Sequence, residues 1–132
     1  MIKLRMWLLI LLSGGLLMAC APIKSMKEAM HSKGASSLSA GISEYEDGKY
    51  PDAAKNLQSA LDLGLDTSEQ VTAHKYLAFI QCISGKERLC RDEFKKALEL
   101  NPNMELDPAE AGHPIWGPVF KSAKGKKPDA KK

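Results

Sequence analysis

The sequence contains no glycine-rich phosphate loop, no Gly-x-Ser-x-Gly elbow and no nucleophile and base arranged for covalent chemistry, so nothing in it supports turnover. It has three histidines, His31, His74 and His113, with no paired spacing that would assemble a metal site. His74 is expected to pack or cap on its helix and His113 to orient the turn before Pro114. Neighbouring acids such as Glu44 with Glu46, or Asp92 with Glu93, read as solvated helix faces. A long apolar run is also missing. The uncharged stretch Met6 to Met18 falls well short of the roughly 20 residues a membrane-spanning helix needs. No enzyme activity, cofactor, metal or small-molecule substrate is expected.

What is present begins with Lys3 and Arg5, followed by that short Leu-rich run, which together have the form of a secretory signal. Its end, Leu17-Met18-Ala19-Cys20, resembles the lipobox cut by the lipoprotein signal peptidase just before the cysteine. Met18 is a slight departure at the loosest position. The resemblance implies that residues 1–19 are removed, that Cys20 carries a covalent lipid, and that Ala21 sends the protein to the periplasmic face of the outer membrane. The remaining 113 residues are enough for one domain with a modest core.

The formal charge of +3 misleads about that domain. Residues 121–132 hold six lysines and one aspartate, whereas residues 20–120 hold eleven basic against fifteen acidic groups. The basic excess is therefore a tail and not a binding face. It is expected to be solvated and disordered, with contact to anionic lipid or cell-wall polymer as the alternative. Nucleic acid is excluded mainly by compartment. Residues 20–36 are polar and small, with Ile23, Met26 and Met30 as the larger apolar side chains, and read as a tether with at most a frayed helix near Met26 to Met30.

An internal repeat appears when Gly48-Lys49 is laid on Gly85-Lys86, an offset of 37 residues. Ala53 then meets Cys90, Leu57 meets Phe94, Ala60 meets Ala97 and Leu61 meets Leu98. In each copy these four are spaced i, i+4, i+7, i+8, one stripe on a helix. Upstream, Gly41 and Tyr45 match Ala78 and Cys82. Each unit is thus a helix, a Gly-Lys turn that suits a left-handed helix end, and a second helix. Thr67-Ser68-Glu69-Gln70 has capping-box form and marks the start of the second unit. Asn101-Pro102 ends it.

Two helices per unit, small residues at the crossing (Gly41, Ala53, Ala60; Ala78, Cys90, Ala97) and the ending Ala97-Leu98-Glu99-Leu100-Asn101-Pro102 resemble the tetratricopeptide repeat. Gly64-Leu65 departs from that family's pattern in the first copy, and the period is longer than the family's roughly 34 residues. The resemblance implies an all-α fold of two helical hairpins within a domain at 37–120, a plain helical bundle being the alternative. Two units need their ends covered. The candidate cover is Asp107-Pro108-Ala109-Glu110, a helix start with Asp as N-cap, followed by the apolar group Ile115, Trp116, Val119 and Phe120.

Cys82 and Cys90 flank the second Gly-Lys turn. In an oxidising compartment they read as a disulfide, and otherwise as two buried thiols. Trp116 and Phe120 are candidates for holding a protein partner, although covering the last hairpin would bury the same side chains. By helical phase Tyr45, Tyr50, Lys75 and Tyr76 are candidate groove contacts. The lipobox, the repeat pair, the cysteine pair and the ending Ala109 to Phe120 together resemble small lipoproteins associated with type VI secretion systems. That implies an adaptor for an envelope or secretion-system protein. A pilotin-like assembly factor and a structural lipoprotein contacting peptidoglycan are the rival readings.

Overall fold

A computed structural model describes residues 23–125. The expected signal at 1–19, Cys20 with its expected lipid, and the end of the lysine-rich segment at 126–132 lie outside the described residues. Six helices follow one another: α1 (Ile23–Glu46), α2 (Tyr50–Leu63), α3 (Thr67–Ile83), α4 (Glu87–Leu100), α5 (Pro108–Ala111) and α6 (Gly117–Gly125). Among the described residues there is no strand, and no helix is long and apolar enough to cross a membrane. The fold is all-α and tetratricopeptide-like: α1 with α2 and α3 with α4 form two hairpins, α3 also meets α1 and α2, and α6 packs on α4.

The two hairpins close with the same turn. Gly48 and Gly85 sit at φ of 76° and 74°, a left-handed conformation that costs glycine little. In each, the lysine amide after the glycine reaches back five residues: Lys49 N–H donates to Glu44 O at 2.8 Å and Lys86 N–H to Gln81 O at 2.9 Å. This Schellman arrangement satisfies carbonyls that the helix end would otherwise orphan. Beyond the turns, Ala53, Leu57 and Ala60 of α2 and Cys90, Phe94 and Ala97 of α4 are all fully buried. The 37-residue offset thus aligns positions that are equivalent in space.

Small residues set how closely α1 approaches α2. A Cβ at Gly41 would lie 2.8 Å from Leu57 Cγ, and one at Gly34 would lie 2.6 Å from the Gly64 carbonyl oxygen. Both glycines are interior to a helix, where each lowers helix stability; the close crossing explains their presence.

Four features differ from the sequence expectations. The segment at 20–36 is not a plain tether, since α1 is continuous from Ile23 and residues as early as Gly34 are buried against the first hairpin. The N-cap of α3 is Asp66, not Thr67: Asp66 Oδ1 accepts from Glu69 N–H at 2.9 Å while Glu69 Oε2 accepts from Asp66 N–H at 3.0 Å. A box started at Thr67 would need Gln70 as its partner, and Gln70 instead donates to Leu65 O at 2.9 Å. The segment after α4 is not a passive connection, because Met104 and Leu106 are buried in the second core cluster. Finally, the lysine-rich segment is helical through Gly125, where Ala123 is buried and Lys124 Nζ donates to Met104 O at 3.2 Å and pairs with Glu105.

The core forms two clusters, one under the first hairpin around Leu38, Leu57 and Leu77, the other under the second around Phe79, Phe94, Trp116 and Phe120. Tyr45 and Tyr76 touch both and join them. Cys82 and Cys90 face each other across the second turn, with Cα atoms 5.1 Å apart and the two sulfurs bonded.

Candidate functional site

The side chains singled out for partner contact divide into two groups. Trp116 and Phe120 are only 7% and 6% exposed, the burial expected of side chains that cover the last hairpin and not of ones held out to a partner. Phe120 meets Phe94 edge to face at 5.2 Å, and Trp116 stacks on Phe79 at 4.5 Å. Both therefore cover the second hairpin. Burial of large aromatic area at the end of a short stack stabilises the fold itself, and it removes these rings from any partner's reach.

Tyr45, Tyr50, Lys75 and Tyr76 are brought together and remain half-buried. The Tyr45 ring lies 5.7 Å from Tyr50 and 5.1 Å from Tyr76, and Tyr76 lies 5.8 Å from Phe79. Three helices thus contribute to one aromatic row that runs from the first hairpin to the second. Burial pushes the Tyr45 hydroxyl up to about 12, helped by the neighbouring Tyr50 and Tyr76. Burial likewise raises Tyr76, with Lys75 opposing. Neither phenol is poised to lose a proton near neutral pH, so the row offers recognition surface and not acid-base chemistry.

Lys75 ends this row. Its Nζ is 2.8 Å from Glu110 Oε1 and lies over the Tyr76 and Phe79 rings at 5.2 and 5.8 Å from their centroids. Glu110 is the anchor of the C-terminal cover: its other carboxylate oxygen accepts from Asp107 N–H at 3.1 Å and its main-chain oxygen accepts from Trp116 Nε1 at 2.9 Å. His113 stacks on Trp116 with ring centroids 3.4 Å apart, and its Nδ1 accepts from Ile115 N–H at 3.3 Å. Trp116 is therefore held between Phe79 and His113. The segment from Asp107 to Trp116 covers Phe79 and engages Lys75, so this end of the aromatic row is occupied by the chain's own residues.

The other end is open. Ala35, Leu38, Ser39, Ile42, Ser43 and Glu46 of α1 line a shallow depression. Of these only Leu38 is buried, while Ser39, Ser43 and Glu46 are exposed and Ala35 and Ile42 are intermediate. Small side chains beside larger apolar ones leave room for another chain to lie along the helix. Of the six, the sequence reading named only Glu46, as part of a solvated helix face. Phe79 was missed as well, because it sits in a run of four consecutive buried residues, Leu77 to Ile80, in which helical periodicity is blurred.

Two polar groupings lie apart from the aromatic row. His74 does not merely pack on its own helix: its Nδ1 is 2.7 Å from Glu93 Oε2, tying α3 to α4. Burial alone would raise the Glu93 carboxyl, but hydrogen bonds from His74 and Lys96 outweigh it and lower it below its usual range. His31, Asp66 and Glu69 place one ligand atom each within 4.8 Å of one another, a grouping invisible in the sequence spacing. The two carboxylates are already engaged by the reciprocal cap of α3, and Glu69 Oε2 lies 3.7 Å from His31 Nδ1. The cap and this contact account for the cluster.

The fold and surface together define a helical-repeat protein without an evident reaction centre among the described residues. The chain is similar to the photosystem I assembly protein Ycf3 of Synechococcus sp. (strain CC9605), 35% identical over 63 residues, and to that of Synechococcus sp. (strain CC9902), 34% identical over 62 residues. The matches cover 48% and 47% of this chain and 36% of each relative, so the chain spans about a third of the length of these curated relatives. No family model matches, and no solved structure does.

Proposed function

We propose that the chain is a protein-binding adaptor of the cell envelope, not an enzyme, anchored by a lipid on Cys20 at the periplasmic face of the outer membrane and accessory to a type VI secretion system. The observation that carries the binding role is the open depression on α1, the helix that also contributes Tyr45 to the row with Tyr50 and Tyr76. Helical hairpin stacks recognise extended or helical peptides through such faces, with a few aromatic anchors supplying most of the affinity. The lipobox and the resemblance to secretion-associated lipoproteins support the anchor and the system. The Cys82 to Cys90 bridge belongs to the same reading, since disulfides persist in oxidising compartments.

A second reading, a pilotin-like assembly factor, draws on the similarity to proteins named for assembly. Both are tested by crosslinking the full-length protein in envelope membranes and identifying what is captured, with a Ser39→Arg, Ser43→Arg variant alongside. Both serines are exposed, so the variant blocks the depression without touching the core. Capture of sheath, baseplate or membrane-complex components that the variant loses supports the secretion adaptor. Capture of secretin or pilus components moves the assignment to the assembly factor. Cell-wall binding alone, lost on deletion of residues 121–132, would overturn both.

A further inference from the structure

The first ten residues of α1 project beyond the end of α2, which stops at Leu63, and they carry three of the exposed large apolar side chains among the described residues. Ile23, Met26 and Met30 are 85%, 68% and 44% exposed. Their spacing of i, i+3, i+7 puts them on one face of the helix. That face is in line with Gly34 and Gly41, which pack against α2 further along. The stripe is therefore the core-facing side of α1 continued past the point where there is a core.

Its flanks are basic. At about 100° per residue, Lys27 and Lys33 fall on either side of the stripe, while Lys24, Ser25, Glu28 and Ser32 fall towards the opposite face. Acids of the packed hairpins close to this end of the molecule include Asp66 and Glu69, which lie beside His31, and Asp62 follows at the end of α2. Asp62 accepts from Gln58, and the other two are engaged in the α3 cap. A narrow apolar face bordered by lysines, with polar and charged residues behind it, is the pattern of a helix that lies in a lipid headgroup region, with lysine stems reaching to phosphate.

We propose that Ile23–Lys33 is an interfacial helix that lies on an anionic bilayer. The proposal rests on the lipid-anchor reading, because Cys20 is only three residues before Ile23 and a lipid there holds the first turns of α1 at the membrane surface. A second copy is the rival occupant. Three side chains at one helix end offer far less than the roughly 1,000 Å² a stable protein interface buries, whereas membrane contact beside an anchor needs no such area.

The test uses the full-length, acylated protein in vesicles of three parts phosphatidylethanolamine to one part phosphatidylglycerol, with a Met26→Trp variant and brominated acyl chains as quencher. Ser25→Trp, on the opposite face, is the comparison. Trp116 is buried in both and contributes a constant background, and Trp7 is replaced by Phe so that a retained signal adds no quenching. Severalfold stronger quenching of Met26→Trp than of Ser25→Trp, weakened by Lys27→Glu with Lys33→Glu, is the expected result. Equal quenching at the two positions overturns the proposal, as does a blue shift of Met26→Trp without bromine quenching, which indicates pairing of two copies. Intact mass and vesicle flotation report the acyl group separately. A chain that lacks the acyl group yet shows face-selective quenching leaves the interfacial helix standing and removes the anchor. One that floats without such quenching does the reverse.

Discussion

At the scale of single residues, Gly41 carries much of the first hairpin's geometry. Its missing Cβ lets Leu57 sit against the α1 backbone, and any side chain must displace Leu57 Cγ from 2.8 Å. Gly41→Val is expected to destabilise the fold by about 1–3 kcal/mol, read as a lower urea midpoint, whereas Gly48→Ala should cost about 1 kcal/mol or less through its positive φ alone. A second residue-level expectation concerns Tyr45. Its folded-state value is raised from 10.0 to about 12, so the folded protein holds this proton where the unfolded chain has released it. Stability should therefore be intact below pH 10 and fall as pH rises towards 12. Ultraviolet absorbance of the phenolates should show Tyr45→Phe removing a late-titrating tyrosine, and a wild-type titration complete near pH 10 would contradict the buried placement. The identity of these positions was partly legible in the sequence: Gly41 stood out as a small residue at a helix crossing, and Tyr45 as a groove residue. Phe79 was not, although it contacts Tyr45, Tyr76, Phe94 and Trp116. A residue buried on several sides leaves no amphipathic trace.

At the scale of elements, the offset between the two Gly-Lys turns located all four hairpin helices, because a repeated hairpin repeats its buried stripe. Where repetition ended, the reading weakened. The early part of α1 makes few contacts, so nothing in its pattern distinguished an exposed helix from a tether. The lysine-rich segment concealed Ala123, one buried position among charged ones. Asp66 was passed over as a cap because Thr67 offered the same chemistry one residue later. The second hairpin also differs from the first in its cysteine pair at the turn. Reducing the bond, or replacing both with Ala, should cost the protein roughly 2–3 kcal/mol by the chain-entropy model for so short a loop, measured as a fall in denaturant midpoint. The same midpoint in the presence and absence of reductant would show that the two thiols pack without a bond. The His74 to Glu93 contact ties the same two helices. The Glu93 carboxyl lies below its ordinary range, so its contribution is present above that range and fades as acid protonates it; His74→Ala should flatten this acid dependence.

At the scale of the whole molecule, the two hairpins are not self-sufficient, and the segment after Asn101 is what completes them. Without the segment after Asn101, Phe79 loses Trp116, Phe94 loses Phe120, and the cluster that contains Cys90 and Ala97 loses Met104, Leu106, Val119 and Ala123. Exposing so much apolar surface on a domain of this size removes a large share of a stability that is marginal in small proteins. A chain ending at Asn101 is therefore expected to lose cooperative unfolding in the second hairpin, seen as a broad thermal transition and fast amide exchange in α3 and α4. The first hairpin has its own cluster around Leu38, Leu57 and Leu77 and should retain more protection. Glu110→Gln provides the graded version of the experiment. It weakens the pairing with Lys75 while leaving Trp116 Nε1 bonded to the Glu110 main-chain oxygen. If the cover over Phe79 is held chiefly by stacked aromatics, this variant should lose no more than about 1–2 kcal/mol and keep a single sharp transition. Selective deprotection of residues 107–116 would instead make the ion pair the latch and place the far half of the aromatic row within a partner's reach.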